Sequence, residues 1–231
     1  MSARLISSQQ LPILENGDRV TRAEFERRYQ QMRHVKKAEL VEGTVYMPSP
    51  VRIRKHANPH GRIITWLGVY EAATPRVMLG DNPTVRLDID NEPQPDALLR
   101  LEESVGGNSR LSEDDYIEGA PELIVEIASS SASYDLYDKR EAYRRNGVKE
   151  YLIWLVEDGE LRWEVWEEGR YRQQPLPESG VFKSSCFLGL WLDVSALLRG
   201  EMSQVLAILN SGLASQEHQR FVQQLQERKN P

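Results

Sequence analysis

The sequence predicts an α/β fold, a mixed β-sheet flanked by helices with a C-terminal helical extension, on three observations. Short apolar runs bounded by Gly, Pro and acidic residues alternate with stretches of helical periodicity. No fixed-period repeat or low-complexity tract interrupts the 231 residues. The order helix, hairpin, helix, several strands, helix, strand, hairpin and final helices fits a layered sandwich rather than a barrel of repeated units. We place an N-terminal arm at residues 1–20, the α/β domain at 21–199 and the helical extension at 200–231.

Residues 21–32 open with Thr21-Arg22-Ala23-Glu24, a capping box, followed by Phe25, Tyr29 and Met32 at helical spacing. Ala38–Val41 and Thr44–Met47 read as a hairpin across Glu42-Gly43. Asn58-Pro59 starts a helix whose stripe of Ile63, Trp66, Leu67 and Tyr70 should lie on the sheet up to about Ala73. Strands are expected at Arg76–Leu79, Thr84–Ile89, Asp96–Leu101 and Glu122–Ala128, with a loop from Glu102 to Gly119. After the serine cluster Ser129–Ser133, Tyr134–Asn146 forms a helix that stops at Gly147. A strand at Tyr151–Val156 and a hairpin of Leu161–Trp166 with Arg170–Gln174 follow, and the core closes near Leu190-Trp191-Leu192. Met202, Val205, Leu206 and Leu209, then Phe221, Val222 and Leu225, mark two amphipathic helices separated at Asn210-Ser211-Gly212, ready to pack on the core or on a partner subunit.

Composition narrows the function. With 40% apolar and 28% charged residues the chain resembles ordinary globular proteins. No apolar run approaches the ~18 residues of a membrane span, and the start MSARLISSQQ lacks a signal-peptide core, so a cytoplasmic protein without a membrane role is expected. The single cysteine, Cys186, excludes an internal disulfide and a thiolate zinc site, and its apolar neighbours mark it as a buried thiol. The net charge of −6 argues against coating nucleic acid by bulk electrostatics. Charge is nevertheless uneven: residues 1–60 hold eleven Lys and Arg against six acids, whereas residues 81–135 hold three Arg against fourteen acids. The acidic stretch is either a solvated surface or a set of carboxylates converging on a divalent cation, which requires hard oxygen ligands.

Strand alternation bears on that choice. Glu122, Ile124 and Glu126 share one face, while Leu123, Val125 and Ile127 share the other. A carboxylate inside so apolar a strand is costly unless it reaches water, a partner or a metal. In the following helix Lys139 lies between Leu136 and Tyr143, so it either pairs with Asp135 on the surface or points to the sheet. Asp96, Glu126 and Lys139 together supply what phosphodiester hydrolysis needs, two carboxylates to hold Mg²⁺ and a cation near the scissile phosphate. His56 is separated from His60 by Asn58-Pro59, which argues against a two-histidine metal site; His34 and His218 have no evident partners. Arg52-Ile53-Arg54-Lys55 and Arg140, Arg144, Arg145 and Lys149 either contact phosphates or form solvated faces. Trp154, Trp163, Trp166 and Trp191 are read as core rather than base-stacking residues.

Glu39-Leu40-Val41-Glu42-Gly43, His60-Gly61-Arg62-Ile63, Pro95-Asp96, Val125-Glu126-Ile127, Asp135-x-x-x-Lys139-x-x-x-Tyr143 and Gly147-Val148-Lys149-Glu150-Tyr151 together resemble the Uma-two-type endonucleases of the restriction-endonuclease-like PD-(D/E)xK superfamily. The resemblance covers roughly Thr21 to Ser195 and implies a restriction-endonuclease-like mixed sheet flanked by helices. It implies a DNA endonuclease that uses Mg²⁺ or Mn²⁺, with Asp96 and Glu126 as metal ligands, Lys139 and Glu39 as further catalytic residues, and a homodimer or higher homo-oligomer. His60 matches a family position and, with Arg140, is a candidate for substrate contact. The superfamily pattern places lysine two residues after the second acid, where this chain has Ala128. The resemblance implies that Lys139 fills that role from the next helix. A nuclease-like binding or oligomerisation module without activity is the alternative, supported by the displaced lysine, the net acidity and the C-terminal helices.

Overall fold

Thr21 caps the first helix by accepting from the Glu24 amide, so α1 (Arg22–Tyr29) starts where its sequence directs. The structure, a computed structural model, describes residues 12–47, 50–129 and 135–228. The first part of the expected N-terminal arm, most of the serine cluster, and the side chains of Asp135 and Leu136 lie outside the described residues. β1 (Glu39–Val41) and β2 (Thr44–Tyr46) form the expected hairpin. Glu42 and Gly43 both adopt left-handed φ, 52° and 69°, as a two-residue hairpin turn of this kind demands.

A π-helical turn, Ile53–Ala57, runs directly into α2 (Asn58–Ala73). β3 (Val77–Asp81), β4 (Val85–Arg86), β5 (Ala97–Leu101), β6 (Ser109–Leu111), β7 (Ile117–Gly119) and β8 (Leu123–Ala128) follow. A second π-helical turn, Asp135–Lys139, leads into α3 (Arg140–Asn146). After it come β9 (Glu150–Leu155), β10 (Glu160–Glu167), β11 (Arg170–Gln173), β12 (Val181–Lys183) and β13 (Trp191–Asp193). The chain closes with α4 (Val194–Arg199), α5 (Met202–Leu213) and α6 (Gln216–Glu227).

The central sheet has the order β11-β10-β9-β8-β5-β3. Within it β8 and β9 are parallel and the other neighbours antiparallel, because the chain crosses over through α3 between those two strands. Val125, Ile127, Leu152 and Trp154 face a core shared with Ile63, Trp66 and Tyr70 of α2. Ile124, Ala128, Tyr151 and Ile153 pack with Tyr143 of α3 on the opposite face. β8 is therefore buried on both sides, and Glu126 does not face water. A third cluster, with Leu14, Phe25, Leu40 and Val45, secures α1 and the hairpin.

Several expectations change. The expected strand at 84–89 shrinks to β4, which joins β6 and β7 in a separate three-stranded sheet. The segment read as a loop from Glu102 to Gly119 thus contains two strands, too short for periodicity to reveal. α5 continues through Asn210-Ser211-Gly212 and breaks at Ser215, whose side chain caps α6. Gly212 serves close packing rather than a break, since a Cβ there would lie 2.2 Å from the Gly189 carbonyl oxygen. Val205, Leu209, Phe221 and Leu225 belong to the main core, so the C-terminal helices cover their own sheet. His218 is buried against the Thr74 hydroxyl and the Leu213 carbonyl and does have partners. Trp154 and Trp163 are buried in the core, while half-buried Trp166 and Trp191 lie under Lys149 and Lys183. Burial pushes the Cys186 thiol up to about 12.

Candidate active site

The register of β5 and β8, with Ala97 opposite Val125, brings Asp96 beside Glu126 where the strands meet. Both acids are buried, at 4% and 2% exposure. The Asp96 Oδ2 atom accepts from the Ile127 amide at 2.7 Å, which ties the first acid to the strand of the second. Its Oδ1 atom lies 3.1 Å from His56 Nε2 and 3.9 Å from Lys37 Nζ. Burial acts to raise the Asp96 pKa. The His56 hydrogen bond and the charges of His56, Lys37 and Lys139 outweigh it and bring the group to about 2.

Lys139, the last residue of the second π-helical turn, points to the sheet and is only 3% exposed. Its Nζ atom lies 2.8 Å from Glu39 Oε1 and 2.9 Å from Glu126 Oε1. The Tyr143 hydroxyl donates to the same Glu126 oxygen at 2.8 Å, and the Gln94 amide donates to Glu39 Oε1 at 2.7 Å. Burial and the adjacent Glu126 charge hold the Tyr143 hydroxyl well above its ordinary value, so it remains a donor. Tyr46 of the hairpin donates to Asp138, which tethers the turn carrying Lys139 at 2.9 Å.

The structure therefore brings together Glu39, Asp96, Glu126 and Lys139 from four separate chain segments. His60 lies close by, with Nε2 2.9 Å from the Asp96 carbonyl oxygen and 3.2 Å from Asp81 Oδ1. Arg140 is placed differently. Its Nε donates to Glu164 Oε2 at 2.6 Å and its guanidinium lies over the Tyr171 ring, so this side chain braces β10 and β11.

Sequence reasoning missed His56 and Lys37. In the sequence Asn58-Pro59 separates His56 from His60, yet the two rings lie 5.8 Å apart. Proline is tolerated in the first turn of α2, where its absent N–H would lack a helical partner anyway, and the preceding π-helical turn carries His56 onto the same side. The spacing of four was the available signal. Lys37, in the segment before β1, has no pattern to mark it.

The other acids of the 81–135 stretch are largely structural. Glu122 accepts from the Leu101 and Asn108 amides, and Asp114 and Glu118 pair with Arg86 and Arg110. Among the described residues no three His, Cys, Asp or Glu side chains converge on a common metal position. Asp96 and Glu126 remain as a pair of hard oxygen donors, the first ionised across the neutral range, and this donor set fits a magnesium-type ion that takes one or two carboxylates and fills its shell with water and phosphate oxygens.

No curated protein matches the chain. Among solved structures it is similar to "a putative nuclease belonging to DUF820 from Anabaena variabilis ATCC 29413", with a TM-score of 0.53 and 13% identity over 70% of this chain and 89% of that one. That likeness establishes the restriction-endonuclease-like α/β fold. The Uma2 family model, described as "Putative restriction endonuclease", matches residues 22–195, so the chain belongs to the Uma2 family.

Proposed function

We propose that this protein is a divalent-metal-dependent endonuclease that hydrolyses phosphodiester bonds in DNA. The observation that carries this reading is the buried Lys139 ammonium, held between Glu39 and Glu126 beside the ionised Asp96. Asp96 and Glu126 would hold Mg²⁺ or Mn²⁺, which when bound lowers the pKa of a water nucleophile and neutralises charge on the reacting phosphate.

The chain's own residues do the rest. Lys139 provides a fixed positive charge at the Glu126 carboxylate, where negative charge builds on a phosphate in the transition state, and its burial strengthens that effect. Glu39 and Tyr143 fix the geometry of Lys139 and Glu126. His56, Lys37 and the Ile127 amide orient Asp96, and His60 anchors its backbone. Lys139 thus takes the part of the lysine that Ala128 cannot play.

The same reading places the protein in the cytoplasm as a homodimer, one site for each strand of a duplex. No helix among the described residues is long and apolar enough to cross a membrane. The packing of the C-terminal helices on their own core removes one support for the rival reading of an inactive assembly module. The test is conversion of supercoiled plasmid to nicked and linear forms. Cleavage is expected with Mg²⁺ or Mn²⁺, none in chelator, and none by Asp96→Ala or Lys139→Ala. Wild-type rates from both variants would end this assignment.

A further inference from the structure

Two π-helical turns flank the proposed centre, and each has an inward and an outward side. In Ile53–Ala57 the inward residue is His56, which meets Asp96, while Arg52, Ile53, Arg54 and Lys55 are exposed. In Asp135–Lys139 the inward residue is Lys139, while Tyr137 projects outward. Ile53 and Tyr137 are 71% and 70% exposed, among the most exposed large apolar side chains described. One helical turn advances only ~5 Å, so these outward groups stand close to the residues that touch the two acids. A single exposed apolar residue on a surface is ordinary. One on each of two turns that both reach into the same buried centre, with Arg52 and Arg54 on either side of Ile53, is a more specific arrangement.

Charge narrows the partner. Several surface cations are matched by acids, Arg86 with Asp114 at 2.9 Å, Arg110 with Glu118 at 2.7 Å and Arg145 with Glu42 at 2.8 Å, and within Ile53–Ala57 itself Lys55 pairs with Glu157. Arg52 and Arg54 have no ion pair among the described residues. On a chain of net charge −6, these two exposed guanidiniums beside the centre are available to an approaching polyanion. Phosphate-neutralising cations on one turn and an exposed aromatic ring on the other suit binding of a single strand, because an unpaired base offers a face for stacking that a duplex keeps covered.

We infer that this nuclease grips DNA at a locally unpaired or single-stranded position, with Tyr137 stacked on an unpaired base, Ile53 making a second apolar contact, and Arg52 and Arg54 on backbone phosphates. The inference rests on the nuclease reading above and adds substrate preference to it.

Fluorescence anisotropy of full-length protein, with Ca²⁺ replacing Mg²⁺ to suppress turnover, compares a labelled single-stranded oligonucleotide with its duplex. The single strand should bind more tightly. Tyr137→Ala should weaken it by about 10-fold and leave the duplex nearly unchanged, while Tyr137→Phe keeps the wild-type affinity. Arg54→Gln should flatten the salt dependence for both forms by roughly one phosphate contact. Matching thermal melts exclude unfolding as the cause of any loss. Tighter duplex binding by the wild type, or unchanged single-strand binding by Tyr137→Ala, overturns the inference while nuclease activity stands. Light scattering adds another refutation: if Ile53→Ser and Tyr137→Ala split a dimer without altering single-strand affinity, the surface joins copies of the chain. Failure of the wild type to bind either form of DNA refutes the nuclease reading as well.

Discussion

Lys139→Met removes one charge from the centre while keeping much of the side chain's apolar length. In the wild type, the Glu39 and Glu126 carboxylates face each other across one ammonium, at 2.8 and 2.9 Å from it. Without that ammonium, two like charges about 5 Å apart at an effective dielectric of about 20 repel by about 3 kcal/mol. That figure lies at the lower end of the about 3–5 kcal/mol lost when one member of a buried pair is removed. In a chain of this size about 1 kcal/mol moves Tm by about 2–4 °C, so the midpoint should fall by about 6–12 °C. Circular dichroism melts at neutral pH measure this directly. The double variant Glu39→Gln/Lys139→Met should recover part of the loss, because one of the two opposed charges is gone. A Lys139→Met midpoint within about 2 °C of wild type, or a double variant no more stable than the single, would show that the pair is not electrostatically linked through Lys139.

Acid titration probes the other side of the centre. The Asp96 pKa is about 2 in the fold against an ordinary 3.8, so its contribution is present above about pH 4 and vanishes as pH falls through about 2. Asp96→Asn should accordingly be about 2 kcal/mol less stable than wild type near pH 5 in urea unfolding, with the gap closing towards pH 2; a gap independent of pH contradicts the assignment. Leu209→Ala in α5 should cost about 2–5 kcal/mol within a single cooperative transition, as expected for the main core. A loss below about 0.5 kcal/mol in chemical denaturation would mean that the C-terminal helices are only appended to the surface.

Much of the scaffold is legible in the sequence because it is encoded by local periodicity. The alternation in Leu123–Ala128 distinguishes the faces of β8, and the stripe from Ile63 to Tyr70 orients α2. The cap at Thr21, the turn at Glu42-Gly43 and the stop at Gly147 bound their elements by the same local logic. β6 and β7 escaped because three residues carry no usable period, and β7 is held in its sheet by β4, which is distant in sequence.

By itself the chain determined the central alternation, the main helices, and the residue types required for a carboxylate and lysine centre, since each follows from neighbours a few positions apart. Only the tertiary structure decided that Lys139 lies between Glu39 and Glu126, that Arg140 instead braces Glu164, and that His56 and Lys37 converge on Asp96. The physical reason is that a buried charge takes its place from whichever opposite charge and donors the packed strands bring within hydrogen-bond reach, and that neighbourhood spans segments far apart along the chain.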